Sequence, residues 1–203
     1  MFRRSGSDPR TQSGLLAVLG ALLLAACGGT TAAAPATSLT PPSPSQTVTT
    51  LKSIPLDLCT RFTAAQLRSM MVSGSPTEDG DGISEKGCIW LSTSGGDVSL
   101  LTITVSRLSD EAGAQDLFTK NRAAADAQYA GAAKSADLNL GQPAVTAYLQ
   151  VYLIPGPGGS RDGVATLGAL DLNLVYEISL QAPGSQKARV AAVKAAFGVV
   201  YVA

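Results

Sequence analysis

The chain has 203 residues, 45% of them hydrophobic and 5% aromatic, with 15 basic side chains, 15 acidic ones and no histidine. Without histidine there is no Ser-His-Asp or Cys-His constellation, and the usual general base and commonest transition-metal ligand are missing. A formal net charge of zero leaves no basic surplus of the kind that nucleic acid or an anionic surface calls for, so nucleic acid is not an expected partner.

Residues 1–26 read as a signal peptide. Arg3, Arg4 and Arg10 are followed by an uncharged apolar run from Gly14 to Leu24, far short of the roughly 20 residues that span a bilayer. Leu24-Ala25-Ala26-Cys27 comes next, and the order positive, apolar, small, Cys resembles a bacterial lipobox. That resemblance implies cleavage before Cys27 and acyl chains such as palmitate on its new N-terminus. The chain would then be a lipoprotein at the extracytoplasmic face of the cell membrane. Each buried methylene contributes about 0.8 kcal/mol, so two or three chains anchor firmly. Loss of the leader removes three arginines and Asp8, leaving 12 basic and 14 acidic residues, net −2.

From Cys27 to Ser53 the chain is rich in Thr, Ala and Pro and carries one charge, Lys52. Such a segment cannot bury enough apolar area to offset its ordering entropy, so residues 27–53 are expected to form a disordered tether. Residues 54–203 are then one domain with one core.

Within that domain the elements follow in order. Thr63 and Gln66 have capping-box spacing, and Phe62 can staple to Leu67, opening a helix that Ser73-Gly74-Ser75-Pro76 ends. Leu67, Met70 and Met71 form its apolar face. Cys88–Thr93 is a short strand, Gly95-Gly96-Asp97 a hairpin turn, and residues 99–108 a strand with Leu101, Ile103 and Val105 inward. Ser109 is the expected cap of a helix that begins Asp110-Glu111 and runs to about Ala133, with Leu117, Phe118, Ala125 and Tyr129 on its apolar face. Residues 144–154 alternate Ala147, Leu149 and Val151 against Tyr148, Gln150 and Tyr152. Val164–Leu170 returns after a Pro/Gly turn, and residues 171–180 set Leu172, Leu174, Tyr176, Ile178 and Leu180 on one side. Ser185 starts a last helix with Val190, Val193 and Phe197 inward. The expected fold is α+β in two layers: an antiparallel sheet of about five strands with helices packed on one face, in the order α-β-β-α-β-β-β-α.

Three cysteines sort by compartment. With Cys27 lipidated, Cys59 and Cys88 remain, and outside the cytoplasm two remaining cysteines pair. The acidic stretch "SPTEDGDGISEKGCIW" (residues 75–90) invites comparison with a calcium loop. Placing Asp81-Gly82 at positions 5 and 6 puts Cys88 at position 12, where an EF-hand needs a bidentate Glu. Glu78, Asp79, Asp81 and Glu85 are therefore only weak calcium candidates, and no metal or other cofactor is expected.

With the lipobox, the tether, Asp57-Leu58-Cys59 before a capped helix, and Cys88-Ile89-Trp90 in place, the chain resembles the small actinobacterial cell-envelope lipoproteins of the mycobacterial Lpp/Lpr/Lpq kind, of unknown function. The resemblance implies an extracytoplasmic α+β domain with a bridge from Cys59 to Cys88, and it brings no catalytic residues. No Gly-x-Ser-x-Gly, phosphate loop or Cys-x-x-Cys occurs either. The expectation is a membrane-anchored, non-enzymatic binding module for an envelope protein or an amphiphile. Trp90, Tyr148, Tyr152 and Tyr176 are the candidate pocket lining. A lipid carrier is one alternative; a hydrolase, which would need two acids converging in a cleft, is another.

Overall fold

In this computed structural model residues 50–128, 135–155 and 161–201 are described. The chain divides into Met1–Gln46, outside those residues, and a compact unit, Thr47–Ala203. The unit begins with a 3-10 turn, Leu58–Thr60, and helix α1, Ala64–Ser69. Three strands follow: β1, Thr77–Asp79; β2, Glu85–Ser94; and β3, Asp97–Arg107. Helix α2, Glu111–Gln128, leads to β4, Ala136–Asp137, β5, Thr146–Pro155, β6, Arg161–Asp171, and β7, Leu174–Ala182. Helix α3, Gln186–Val200, closes the unit.

The seven strands form one antiparallel sheet in the order β1-β2-β3-β7-β6-β5-β4. Two meanders, β1 to β3 and β4 to β7, are joined through α2, which returns the chain so that β7 pairs with β3. The five long strands are those expected. The two additions, β1 and β4, are short, exposed edge strands with no apolar alternation to betray them.

Local chemistry explains the ends of most elements. Thr63 and Gln66 make both capping-box bonds, Gln66 N to Thr63 Oγ1 at 3.2 Å and Thr63 N to Gln66 Oε1 at 2.8 Å. Met71 then takes a left-handed φ of 64°, and α1 stops before the Ser73–Pro76 breaker. At α2 the cap is Asp110, not Ser109: its Oδ1 accepts from Gly113 N at 2.7 Å, while Ser109 only donates to the other oxygen. Residues 129–134, including Tyr129, lie outside the described residues. Ser185 caps α3 as expected, accepting from Ala188 N.

One expected strand began too early. Asp171 pairs with Leu174, so Leu172 and Asn173 form the two-residue turn between β6 and β7. Leu172 sits at φ 54° there, a conformation a Leu side chain disfavours, which is why its apolar character disguised the turn.

The helices do not share a face. On one side of the sheet Trp90, Leu101, Ile103, Leu167, Tyr176 and Ile178 pack with Leu58, Phe62 and Leu67 from the first segment and with Val193 and Phe197 of α3. On the other side Ala114 and Phe118 of α2 pack with Tyr148, Leu170 and Val175. The expected two-layer arrangement is thus corrected to helices on both faces. The physical reason is that α2 presents mostly small residues, with Leu117 and Phe118 as its large apolar side chains, so the strands beneath it can keep their polar side chains.

Cys59 and Cys88 are bridged, with Sγ atoms 2.00 Å and Cα atoms 5.5 Å apart, and both are buried. The bridge ties the 3-10 turn to β2 across a sequence separation of 29, which in the chain-entropy account contributes roughly 3–4 kcal/mol.

Candidate functional site

The four acids of the 75–90 stretch do not converge. Asp81 is a loop organiser: its Oδ1 accepts from the backbone N–H groups of Ile83, Ser84 and Glu85 at 2.7, 2.7 and 3.1 Å, and its Oδ2 from Ser84 Oγ at 2.6 Å. The Ser84 hydroxyl first, and then the three amides, hold its pKa far below the ordinary carboxylate value. Asp79 accepts from Gly80 N, and Glu78 pairs with Lys86 at 3.2 Å. Glu85 turns to the sheet and accepts from Ser106 Oγ at 3.2 Å. Among the described residues no three His, Cys, Asp or Glu side chains gather as a metal set.

The four aromatic candidates also separate. Trp90 and Tyr176 are fully buried on the α3 side, in edge contacts with Phe62 at 5.0 Å and Phe197 at 5.5 Å. Tyr148 is buried on the α2 side, 5.3 Å from Phe118. Burial, with the nearby Glu177 charge, pushes its hydroxyl up to about 12. Only Tyr152 lines a surface cleft. Three of the four are core residues, because aromatic rings this large contribute most where they exclude water completely. Cys27 lies outside the described residues, and among those no helix is long and apolar enough to cross a membrane.

What the fold does build is a polar cleft between α2 and the sheet. Its two lobes hold about 230 and 240 Å³ and share Asn121 and Glu177. The first is walled by Glu85, Thr104 and Ser106, the second by Gln150, Tyr152, Thr166 and Ser179. Strand register explains the grouping: Thr104 pairs with Glu177, and Gln150, Thr166 and Ser179 form one row across β5, β6 and β7. The floor beside them is set by Gly168, where a Cβ would stand 2.3 Å from the Tyr148 ring; only glycine lets that ring lie flat there.

Glu177 accepts from Asn121 Nδ2 at 3.2 Å. Its side chain reaches solvent, yet the cleft walls remove enough water to raise its pKa, and the Glu85 charge adds to the rise. Gln150 is 2% exposed; its Nε2 donates to the Ala125 carbonyl at 3.0 Å, and its Oε1 has no hydrogen-bond donor. A buried acceptor left in this state costs about 1–3 kcal/mol.

From the sequence, only Glu85 and Tyr152 were candidates of any kind. Glu177, Gln150 and Asn121 read as ordinary outward or helical positions. The available signal was the run of hydroxyls at outward strand positions (Thr102, Thr104, Ser106, Thr166, Ser179) beside the Ala-rich run Ala123–Ala125, which allows a helix to approach a sheet closely without filling the space.

The fold and the bridge define a disulfide-tied mixed α/β domain with an open seven-stranded antiparallel sheet and a polar cleft. The chain belongs to the family described as "Protein of unknown function (DUF3558)", whose model matches residues 22–150, more than half of the sequence. No curated protein matches the chain, and no solved structure does.

Proposed function

We propose that this protein is a lipid-anchored lipoprotein of the bacterial cell envelope, of the Lpp/Lpr/Lpq kind, whose domain binds a small polar ligand without catalysis in the cleft beneath α2. The observation that carries the reading is Gln150: a side chain 2% exposed, in the wall of a polar cleft, with its carbonyl oxygen lacking a donor. Buried polar groups are satisfied in nearly all native structures, so such an acceptor supports a visiting donor. The Leu24-Ala25-Ala26-Cys27 stretch supports the anchor.

The test is an amide NMR screen of the full chain against sugars, amines, amino acids and short peptides. Shifts confined to Gln150, Thr166, Ser179 and Asn121 support the reading; a screen that moves none of them overturns it. Mass spectrometry of the Cys27 peptide from a native membrane fraction tests the anchor separately, since an unmodified cysteine there would remove it. A carboxylate hydrolase has one observation in its favour, that Glu85 and Glu177 line the same lobe. Conversion of a bound solute to a product during the screen would favour it.

A further inference from the structure

The end of α3 carries a glycine that packing does not explain. Gly198 lies inside the helix, where alanine would be the more stable residue, and a Cβ there would meet nothing within 4 Å. What it borders is open space, a cleft of about 240 Å³ between α3 and the 138–145 loop that joins β4 to β5. Leu140, Phe197 and Tyr201 line the same cleft. They belong to the core on the α3 side, across the sheet from the polar cleft beneath α2.

Both walls are held in place. Phe197 and Tyr201 stack at 5.2 Å, and the Tyr176 ring braces them from 5.5 and 6.4 Å. Across the cleft Gly141, at φ 76°, donates its N–H to Asn139 Oδ1 at 2.7 Å, and Val145 N donates to Gln142 O at 3.1 Å. Asn139 is left with the hydrogens of Nδ2 to give, and Gln142 with its side-chain amide. Lys194 is the one charged residue lining the cleft, and among the described residues it forms no ion pair.

An ammonium and two amide donors therefore stand beside a fixed apolar wall. Donors grouped round one cation are answered best by a carboxylate, through charge-assisted hydrogen bonds. The rings and Leu140 are answered by a flat apolar body. Inorganic phosphate would serve the donors and leave the wall bare; an uncharged aromatic would do the reverse. Ligand pockets start at about 300 Å³, so the volume here limits the occupant to one ring with a short acid arm.

We infer that this cleft is a separate binding site for a small aromatic carboxylate, with the acid on Lys194 and Asn139 Nδ2 and the ring over Gly198 against Leu140 and Tyr201. Glycine at 198 keeps the floor open at the expense of helix stability. The last turns of α3 carry partial negative charge, so the Lys194 ammonium is what makes an anion acceptable there.

The experiment titrates the full chain with phenylacetate, its neutral isostere phenylacetamide, and acetate, followed through the amides of Gly141, Lys194 and Gly198. Phenylacetate should give saturable shifts, phenylacetamide should bind roughly tenfold more weakly, and acetate should give none. Lys194→Gln should bring phenylacetate down to the level of the amide. Gly198→Leu, whose side chain grows into the cleft, should abolish binding, while Gly198→Ala should weaken it in a protein at least as stable as the parent. Equal responses to phenylacetate and phenylacetamide would overturn the carboxylate seat, and equal responses to phenylacetate and acetate the aromatic one. Binding that survives Gly198→Leu would overturn the location. Silence from phenylacetate would overturn the inference as a whole, and the polar cleft across the sheet would be untouched by any of these results.

Discussion

The Asn173 side chain occupies both backbone polar groups of Lys52. Asn173 Oδ1 accepts from Lys52 N at 2.7 Å, and Asn173 Nδ2 donates to Lys52 O at 3.0 Å and to Leu108 O at 3.2 Å. One amide therefore stands in for a strand partner where the chain enters the domain, and it does so from the turn between β6 and β7. The Lys52 ammonium continues the clamp, 2.6 Å from buried Asp171 and 5.2 Å over the Tyr201 ring. On the tether side of the sequence-based boundary, Lys52 is thus bound to the fold.

Asn173→Ala should therefore destabilise the domain by about 2–3 kcal/mol, since it strands three part-buried backbone partners at once. Lys52→Met should cost more, about 3–5 kcal/mol, because it leaves Asp171 buried without its counter-charge. Adding Asp171→Asn to Lys52→Met should recover part of that loss. Urea unfolding of the four proteins checks the order, and a double variant no better than Lys52→Met would show that the charge pair is not the cause.

Two glycines make opposite tests of stability, one in the cleft floor and one in α3 on the other face of the sheet. Gly168→Ala puts a methyl group 2.3 Å from the Tyr148 ring and should cost about 1–3 kcal/mol as that ring and Phe118 are displaced. Gly198→Ala, inside α3 with nothing within 4 Å of the new Cβ, should gain about 0.5–1 kcal/mol from helix propensity. Thermal unfolding of both, side by side, checks the pair.

Stability should respond to pH with opposite signs at two acids. Glu177 has a folded pKa raised above 4.5, first by desolvation and then by Glu85, so the folded state holds its proton longer than the unfolded chain does. Its contribution is present at low pH and is lost as pH climbs from about 4.5 through the raised value. Glu177→Gln should remove that decline and leave the protein more stable at neutral pH. Asp81, held low by Ser84 and three amides, stabilises above its ordinary 3.8 and loses that stabilisation only as pH falls further. Asp81→Ala should leave the 4.5–7 profile unchanged while speeding amide exchange at Ile83, Ser84 and Glu85.

Replacing Cys59 and Cys88 with serine should remove roughly 3–4 kcal/mol, read as a lower urea midpoint. The loss should match that of wild-type protein treated with reductant. A variant as stable as the oxidised parent would mean that packing of the 3-10 turn on β2 suffices without the bond.

How far the sequence reached can be judged from particular residues. Thr63, Gln66 and Ser185 act where their spacing places them, because a cap is a contact between neighbours in the chain. Leu101, Ile103, Tyr176 and Ile178 face one core because a strand's period of two is written residue by residue. Cys59 and Cys88 pair because only two cysteines follow Cys27. The side of the sheet that α2 covers was not legible, nor was the row Gln150, Thr166, Ser179 or the shared lobe of Glu85 and Glu177. Glu85 and Glu177 are separated by most of the domain in sequence and meet only because the second meander docks β7 against β3. Local capping, alternation and cysteine number were thus determined by the sequence alone, through interactions between near neighbours. The cleft was decided by tertiary structure, since its walls come from six elements whose proximity depends on strand order and on which face a helix settles.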